Sequence, residues 1–258
     1  MEITSRENRI IKEYRRLNGD AKYRRESGLF VLEGARLCED AVRSHVVLKT
    51  ALLTARARAQ YPEAVAAIES ACEQVFDIPD ALAAYLADTE TPQGVFCTAC
   101  LPQSLTAPTP DGRYAALERI QDPGNLGTMI RTAEAFGLDG LFLSEGCCDP
   151  YSPKVLRSSM GGVFRLPLYS VGRLAEALPR LHEQGFSSFA CVVDGGKAVQ
   201  RVAFPTGSVC VIGNEGNGLL PETVAVCSAC ITIPMDGRAE SLNASMAAGI
   251  VFWEMVRA

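Results

Sequence analysis

Apolar positions in this chain come in short runs, and the spacing between runs defines two successive α/β patterns. Residues 1–30 are charged along most of their length and form a basic helical segment. Beyond it the pattern predicts strands at 30–33, 46–54, 75–78 and 95–99, with helices at 34–43, 62–74 and 79–87 between them. Residues 101–112 hold Pro102, Pro108 and Pro110 among Ser, Thr and Gly, a composition that makes a semi-rigid connector and no core. After it, strands are expected at 114–120, 140–143, 164–168, 188–193 and 209–212, with a last one near 231. Helices fit 126–136, 153–160, 173–184 and 241–257. Such alternation predicts an α/β fold whose larger part is a mostly parallel sheet with helices on both faces. The expected organisation is an N-terminal α/β sandwich over 1–103, a linker over 104–112, and a second α/β domain over 113–258.

Composition narrows the class. At 48% hydrophobic and 21% charged, the 258 residues can bury ordinary cores. The first twenty residues are charged throughout, unlike a signal peptide, and the longest apolar stretch, 246–253, is too short to span a bilayer. A soluble, cytoplasmic protein with no membrane partner is expected. The ten cysteines then read as reduced thiols. Cys97/Cys100 and Cys227/Cys230 have ligand-like spacing, but both pairs fall in predicted strands, 94–101 and 226–233. Residues three apart on a strand point to opposite faces, so no metal is expected there. Cys147-Cys148, in a loop, is read the same way.

A net charge of −5 disfavours indiscriminate nucleic-acid binding. Within 1–30, however, Arg6, Arg9, Lys12, Arg15, Arg16, Lys22, Arg24 and Arg25 outweigh five acidic residues, for a local net of +3. By itself that is a charge-mixed solvated helix as readily as an RNA contact.

Three polar loops in the second half carry the chemistry. They run over 121–127, 213–218 and 233–245, and each follows a predicted strand. Strand, glycine-bearing loop, then helix is how parallel α/β folds offer backbone amides and small polar groups to a ligand. With Asn and Glu but no Cys–His pair, the loops point to positioning chemistry and not to a covalent intermediate. On the helix after the first loop, Arg131 lies off the apolar stripe formed by Leu126, Met129, Ile130, Ala133 and Gly137, where it is as readily an exposed arginine with a surface partner as a planar fork of donors that clamps a phosphate or carboxylate. Gly213, Gly216 and Gly218 do not keep dinucleotide spacing, and Glu215 among them would repel a pyrophosphate. A nicotinamide enzyme is thereby disfavoured. Ser241 or Asn243 can cap the last helix, on which Ala244, Ala247, Ala248 and Gly249 give a close-packing face.

Asp122-Pro-Gly-Asn-Leu-Gly with Arg131-Thr-Ala and Phe136-Gly, then Ile212-Gly-Asn-Glu-Gly with Gly218-Leu, then Ile233-Pro-Met with Ser241-Leu-Asn-Ala-Ser, resemble the three signature motifs of the SpoU (TrmH-type) RNA 2′-O-ribose methyltransferases of the SPOUT superfamily. Phe30-Val-Leu-Glu-Gly-Ala-Arg and Thr91-Pro-Gln-Gly-Val resemble that family's ribosomal-protein-like substrate-binding domain. The departures are Met160-Gly161-Gly162, where an alanine-bearing run is more familiar, and Ala244, where valine is common. The resemblance implies a C-terminal trefoil knot, a homodimer, and S-adenosylmethionine as cofactor. It implies cofactor binding by Gly213, Ile233, Leu242 and Ser241. It places Arg131 at the ribose 2′-hydroxyl, and Asn125, Glu215 and Asn243 around them. Arginine's pKa above about 12 makes it a poor base, so Arg131 is expected to hold a phosphate and polarise the hydroxyl while the proton leaves late or through water. Ribosomal RNA of the 23S type is the expected substrate and transfer RNA the second. A non-catalytic RNA-binding protein would tolerate degraded cofactor loops, and these are intact.

Overall fold

The computed structural model describes residues 1–102 and 107–257 and divides into two compact units. One comprises Met1–Ser104 with Tyr151–Phe164, the other Leu105–Pro150 with Arg165–Ala258. Part of the connector expected over 104–112, and the boundary expected at 103, lie outside the described residues. The first unit opens with α1 (Arg9–Gly19), α2 (Ala21–Ser27), β1 (Leu29–Glu33), α3 (Ala35–Arg43), β2 (Leu48–Leu53) and α4 (Ala55–Gln60). It continues with α5 (Pro62–Ala71), β3 (Cys72–Asp77), α6 (Asp80–Leu86) and β4 (Val95–Cys100). The chain then runs through β5 (Arg113–Leu117), α7 (Pro123–Ala135), β6 (Gly140–Leu143) and α8 (Pro153–Ser159). After these come β7 (Leu168–Ser170), α9 (Leu174–Glu183), β8 (Ser187–Cys191) and β9 (Lys197–Ala198). It closes with β10 (Ser208–Ile212), α10 (Pro221–Val226), β11 (Ala229–Thr232) and α11 (Ala244–Val256).

In the first unit the basic segment is two helices, broken at Asp20. The Asp20 carboxylate accepts the Tyr23 N–H at 2.9 Å and so caps α2. Arg24 is buried and donates through Nη1 to the carbonyls of Leu17, at 2.5 Å, and Asn18, at 3.2 Å. Those carbonyls have no partner inside α1, so a buried cation at this helix end is stabilising. The sheet order is β1-β4-β2-β3, with β4 antiparallel to both neighbours and β2 parallel to β3. One face packs Ile11, Tyr14, Leu17, Leu82 and Leu86 against Val31, Leu52 and Phe96, and α3 and α5 pack together beyond the other. Gly94 has φ 78°, and a side chain there would overlap Thr54, so the Thr91-Pro-Gln-Gly turn needs its glycine.

The second sheet runs β7-β6-β5-β10-β8-β11-β9, and each described pairing in it is parallel. Its central strands are buried along their whole length, because helices cover both faces. Tyr114, Ala116, Val209 and Val211 point to the face packed by Leu174, Leu178 and Leu181 of α9. On the opposite face Cys210 lies 3.4 Å from Met255 of α11, and α11 packs on α7.

Three local expectations change. The strand expected at 164–168 is a short 3-10 turn, Gly162–Phe164, followed by β7; the first bond to β6 runs from the Leu141 N–H to the Pro167 carbonyl at 2.9 Å, and Pro167 has no N–H to extend the pairing backwards. The last helix begins at Ala244 and not at 241, since Asn243 caps it. Cys227 is not on a strand: Pro221 opens α10, Cys227 ends it, and its thiol donates to the Thr223 carbonyl at 3.2 Å.

Candidate active site

Strands β5, β10, β8 and β11 are consecutive neighbours and all run in one direction. The three polar loops follow β5, β10 and β11, so a parallel sheet delivers them to the same carboxyl edge, where open α/β folds place ligands.

One set of hydrogen bonds ties them. Asn243 caps α11 by accepting the N–H groups of Ser245 at 2.9 Å and Met246 at 3.3 Å, and its amide donates to Asn125 Oδ1 at 3.0 Å. Asn125 Nδ2 in turn donates to Glu215 Oε1 at 3.2 Å. The Glu215 carboxylate also accepts the backbone N–H groups of Gln121 at 3.2 Å and Asp122 at 3.0 Å. Asp122 caps α7 by accepting the Asn125 N–H at 2.8 Å. Burial would push the Glu215 carboxyl up, but the N–H donors of Asp122, Glu215 itself and Gln121, with the Asn125 amide, outweigh it and hold the group below its ordinary 4.5. A lowered carboxyl pKa contributes stability above the unfolded value and loses it as pH falls through the folded one. The junction is therefore fully formed at neutral pH and opens only in acid.

Beside this junction lies a cavity of about 350 Å³. Gly213, Ile233, Leu242 and Ser241 all line it, and Glu215 borders it as well. Gly213 is required by backbone packing: a methyl group there would overlap the carbonyl of Gly218 and the amide of Leu219. The close approach lets Asn214 and Gly218 exchange two backbone hydrogen bonds, at 3.0 and 2.9 Å, which close the loop on itself. Apolar wall comes from Val192, Val193 and Met235. Cys191 also faces the cavity, but burial pushes its thiol up to about 11, so it stays protonated and is no nucleophile.

Arg131 stands apart. It is exposed on α7 and has no hydrogen-bond or ion-pair partner among the described residues. Asn125, Glu215 and Asn243 are thus brought together, and Arg131 is not held by them. Its donors are open to a ligand arriving from outside.

Two further residues shape the site: Asn214, inside the second loop, and Glu118, which lies outside all three motifs. Asn214 donates to the Arg119 carbonyl at 2.8 Å and gathers the N–H groups of Gly216 and Asn217, both at 3.0 Å. Glu118, only 3% exposed, accepts the Leu220 N–H at 2.7 Å and the Thr223 hydroxyl at 2.5 Å. It anchors the far end of the 213–218 loop to β5 and satisfies the N-terminus of α10. Replacing Glu118 by alanine leaves the buried Thr223 hydroxyl and the half-buried Leu220 N–H unpaired, and urea denaturation is expected to show a loss of about 3 kcal/mol, with glutamine recovering part of it. An unchanged midpoint in the alanine variant would remove this anchor.

The family model of the SpoU rRNA Methylase family matches residues 112–253, and that of an MRM3-like substrate binding domain matches residues 8–97. The chain is 33% identical to an uncharacterised tRNA/rRNA methyltransferase of Synechocystis over 99% of its own length and 93% of the relative's. It is 30% identical to the 23S rRNA (guanosine(2553)-2′-O)-methyltransferase RlmP of Bacillus subtilis, over 98% of each chain. The crystal structure of an AdoMet-bound rRNA methyltransferase from Sinorhizobium meliloti superimposes with a TM-score of 0.88, at 30% identity, over 100% of this chain and 97% of that one.

Proposed function

The chain belongs to the SpoU rRNA methylase family, and from that premise we propose that it transfers a methyl group from S-adenosylmethionine to a ribose 2′-hydroxyl of ribosomal RNA, of the 23S type. The observation that carries this reading is that two loops, 213–218 and 233–245, line one cavity, and the third, 121–127, is tied to both by the Asn125–Glu215 and Asn243–Asn125 hydrogen bonds. The Bacillus subtilis relative, named for 23S rRNA, and the substrate-binding model over 8–97 support the choice of RNA. Transfer RNA is the second reading, since the name of the Synechocystis relative covers both RNA classes.

The cavity suits the cofactor in size and in donor set. Val192, Ile233 and Leu242 offer apolar wall to an adenine, the 213–218 backbone offers polar groups, and Glu215 offers negative charge toward a sulfonium. When bound, S-adenosylmethionine supplies a methyl carbon with a neutral thioether leaving group. The protein has then to align an oxygen with that carbon, and alignment alone is worth several kcal/mol, about 7 in favourable cases. In this proposal Arg131 grips a phosphate of the RNA and polarises the 2′-hydroxyl, whose proton passes to water. Asn125, Glu215 and Asn243 hold the loops in register so that cofactor and ribose meet.

The same reading includes a trefoil knot in the second unit, a homodimer and a cytoplasmic location. The knot rests on membership of this family. The dimer is supported by an apolar stripe at helical spacing on α11, where Met246 is 62% and Trp253 51% exposed. Among the described residues, no helix is long and apolar enough to cross a membrane.

Sedimentation is expected to give a dimer at micromolar concentration that Trp253→Glu dissociates. A fully active wild-type monomer would contradict the dimer. For the cofactor, isothermal titration should show binding of S-adenosylhomocysteine and none of NAD. The reverse result would remove the methyltransferase reading.

A further inference from the structure

The basic residues of the N-terminal segment do not all serve one purpose. Arg24 is buried as a helix staple, and Lys12, Arg16 and Lys22 sit beside Glu7, Asp20 and Glu26. That leaves Arg6, Arg9, Arg15 and Arg25 exposed without an acidic partner among the described residues. Two of these share an aromatic support. The guanidinium of Arg6 lies 4.4 Å and that of Arg15 4.8 Å from the centre of the Tyr85 ring on α6. Arg15 is held further by a hydrogen bond from Nη1 to the Tyr85 carbonyl at 3.2 Å. Nearby in sequence, Arg16 lies 3.8 Å over the ring of Tyr23.

Contact through the flat face of a guanidinium leaves its in-plane N–H donors for a phosphate, all of them at Arg6 and those other than the Nη1 donor to the Tyr85 carbonyl at Arg15. An arginine already pinned to a ring gives up less side-chain freedom on binding than a free one. A tyrosine ring covered by arginine, conversely, is not open for an unstacked base, and base reading in RNA relies on such platforms. The chain carries −5 overall while residues 1–30 carry +3, so an anionic polymer has reason to meet this face.

We propose that Arg6 and Arg15, stacked on Tyr85, form a surface that grips the sugar–phosphate backbone of RNA and does not read its bases. The proposal rests on RNA being the substrate and adds how the N-terminal unit engages it: recognition of sequence lies elsewhere, and this face supplies register and hold.

The test uses the full-length protein, with filter binding over a salt series to fragmented 23S rRNA and to an unrelated RNA duplex. For an Arg6→Gln/Arg15→Gln double variant the account predicts about a tenfold or greater loss on both probes alike. The slope of log affinity against log salt should become shallower by about two, near one per lost phosphate contact. Tyr85→Leu keeps both charges, so it should preserve the slope while affinity falls a few-fold. A circular dichroism melt that matches wild type confirms that each variant is folded. A normal slope in the double variant, or a loss confined to one probe, overturns the proposal. Methylation of rRNA at low salt separates the two levels: variants with raised KM and near-normal kcat support the surface. Wild type that methylates while the double variant binds as wild type removes only the surface. Wild type that methylates no RNA removes the functional reading beneath it.

Discussion

Arg131→Ala is expected to lower methyl transfer by about a hundred- to a thousandfold, the range seen when one preorganised hydrogen-bond donor is removed from a reacting centre. Cofactor affinity should stay within about twofold of wild type, because Arg131 does not line the cavity and belongs to no hydrogen bond of the Asn125–Glu215–Asn243 junction. Alanine is the best helix former, so α7 itself is not weakened by the change. Arg131→Lys should recover little, since an ammonium keeps the charge but lacks the planar fork that holds a phosphate and a hydroxyl together. Single-turnover assays with saturating RNA, alongside S-adenosylhomocysteine titration, separate the two effects. Near-normal turnover in the alanine variant would take Arg131 out of the reaction.

Gly213→Val acts on the other half of the site. The space where a Cβ would sit is filled by the backbone of Gly218 and Leu219, so neither rotamer choice nor side-chain movement can relieve the overlap. The loop must open, and with it go the paired hydrogen bonds between Asn214 and Gly218. Cofactor affinity should fall by about a hundredfold or more, equivalent to roughly 3 kcal/mol. RNA binding through the N-terminal unit should persist, so the variant separates cofactor loading from substrate docking. Titration of S-adenosylhomocysteine with wild-type affinity would mean that the 213–218 loop does not hold the cofactor.

Much of this architecture is legible in the sequence where burial is complete. Gly140–Leu143 is a continuous apolar run in a sheet covered on both faces, and the run and the strand coincide. Short elements without periodicity are not legible. α4 and α10, of six residues each, show too little of a helical stripe to stand out, although Thr54 and Pro221 mark their starts. Residues 164–168 look like a strand because apolar residues recur there, but Pro167, bonded to β6 through its carbonyl alone, lacks the N–H that would carry the pairing further back.

At the site, residue types and loop positions are visible in the chain, whereas partnership is not. Asn125 meets Glu215 across 90 residues and Asn243 across 118, separations that no local spacing encodes. Glu118 reads as an ordinary polar residue at the end of an apolar run. Only the fold reveals that it is buried against α10, more than 100 residues away. The cavity wall at Cys191 to Val193 is likewise invisible, because nothing in an apolar strand end distinguishes it from core.

The central claim is transfer of a methyl group to a ribose hydroxyl of ribosomal RNA, and alkali distinguishes that product from any other methylated nucleotide. Base hydrolysis of RNA uses the 2′-oxygen as nucleophile on the adjacent phosphate, so a methyl group on that oxygen protects one linkage. The measurement is incubation of the full-length protein with methyl-labelled S-adenosylmethionine and unmodified 23S rRNA, with transfer RNA in parallel, followed by complete alkaline hydrolysis. Label from ribosomal RNA is expected in alkali-resistant dinucleotides, dependent on Arg131. Label released as mononucleotides, or transferred to neither RNA, would contradict it.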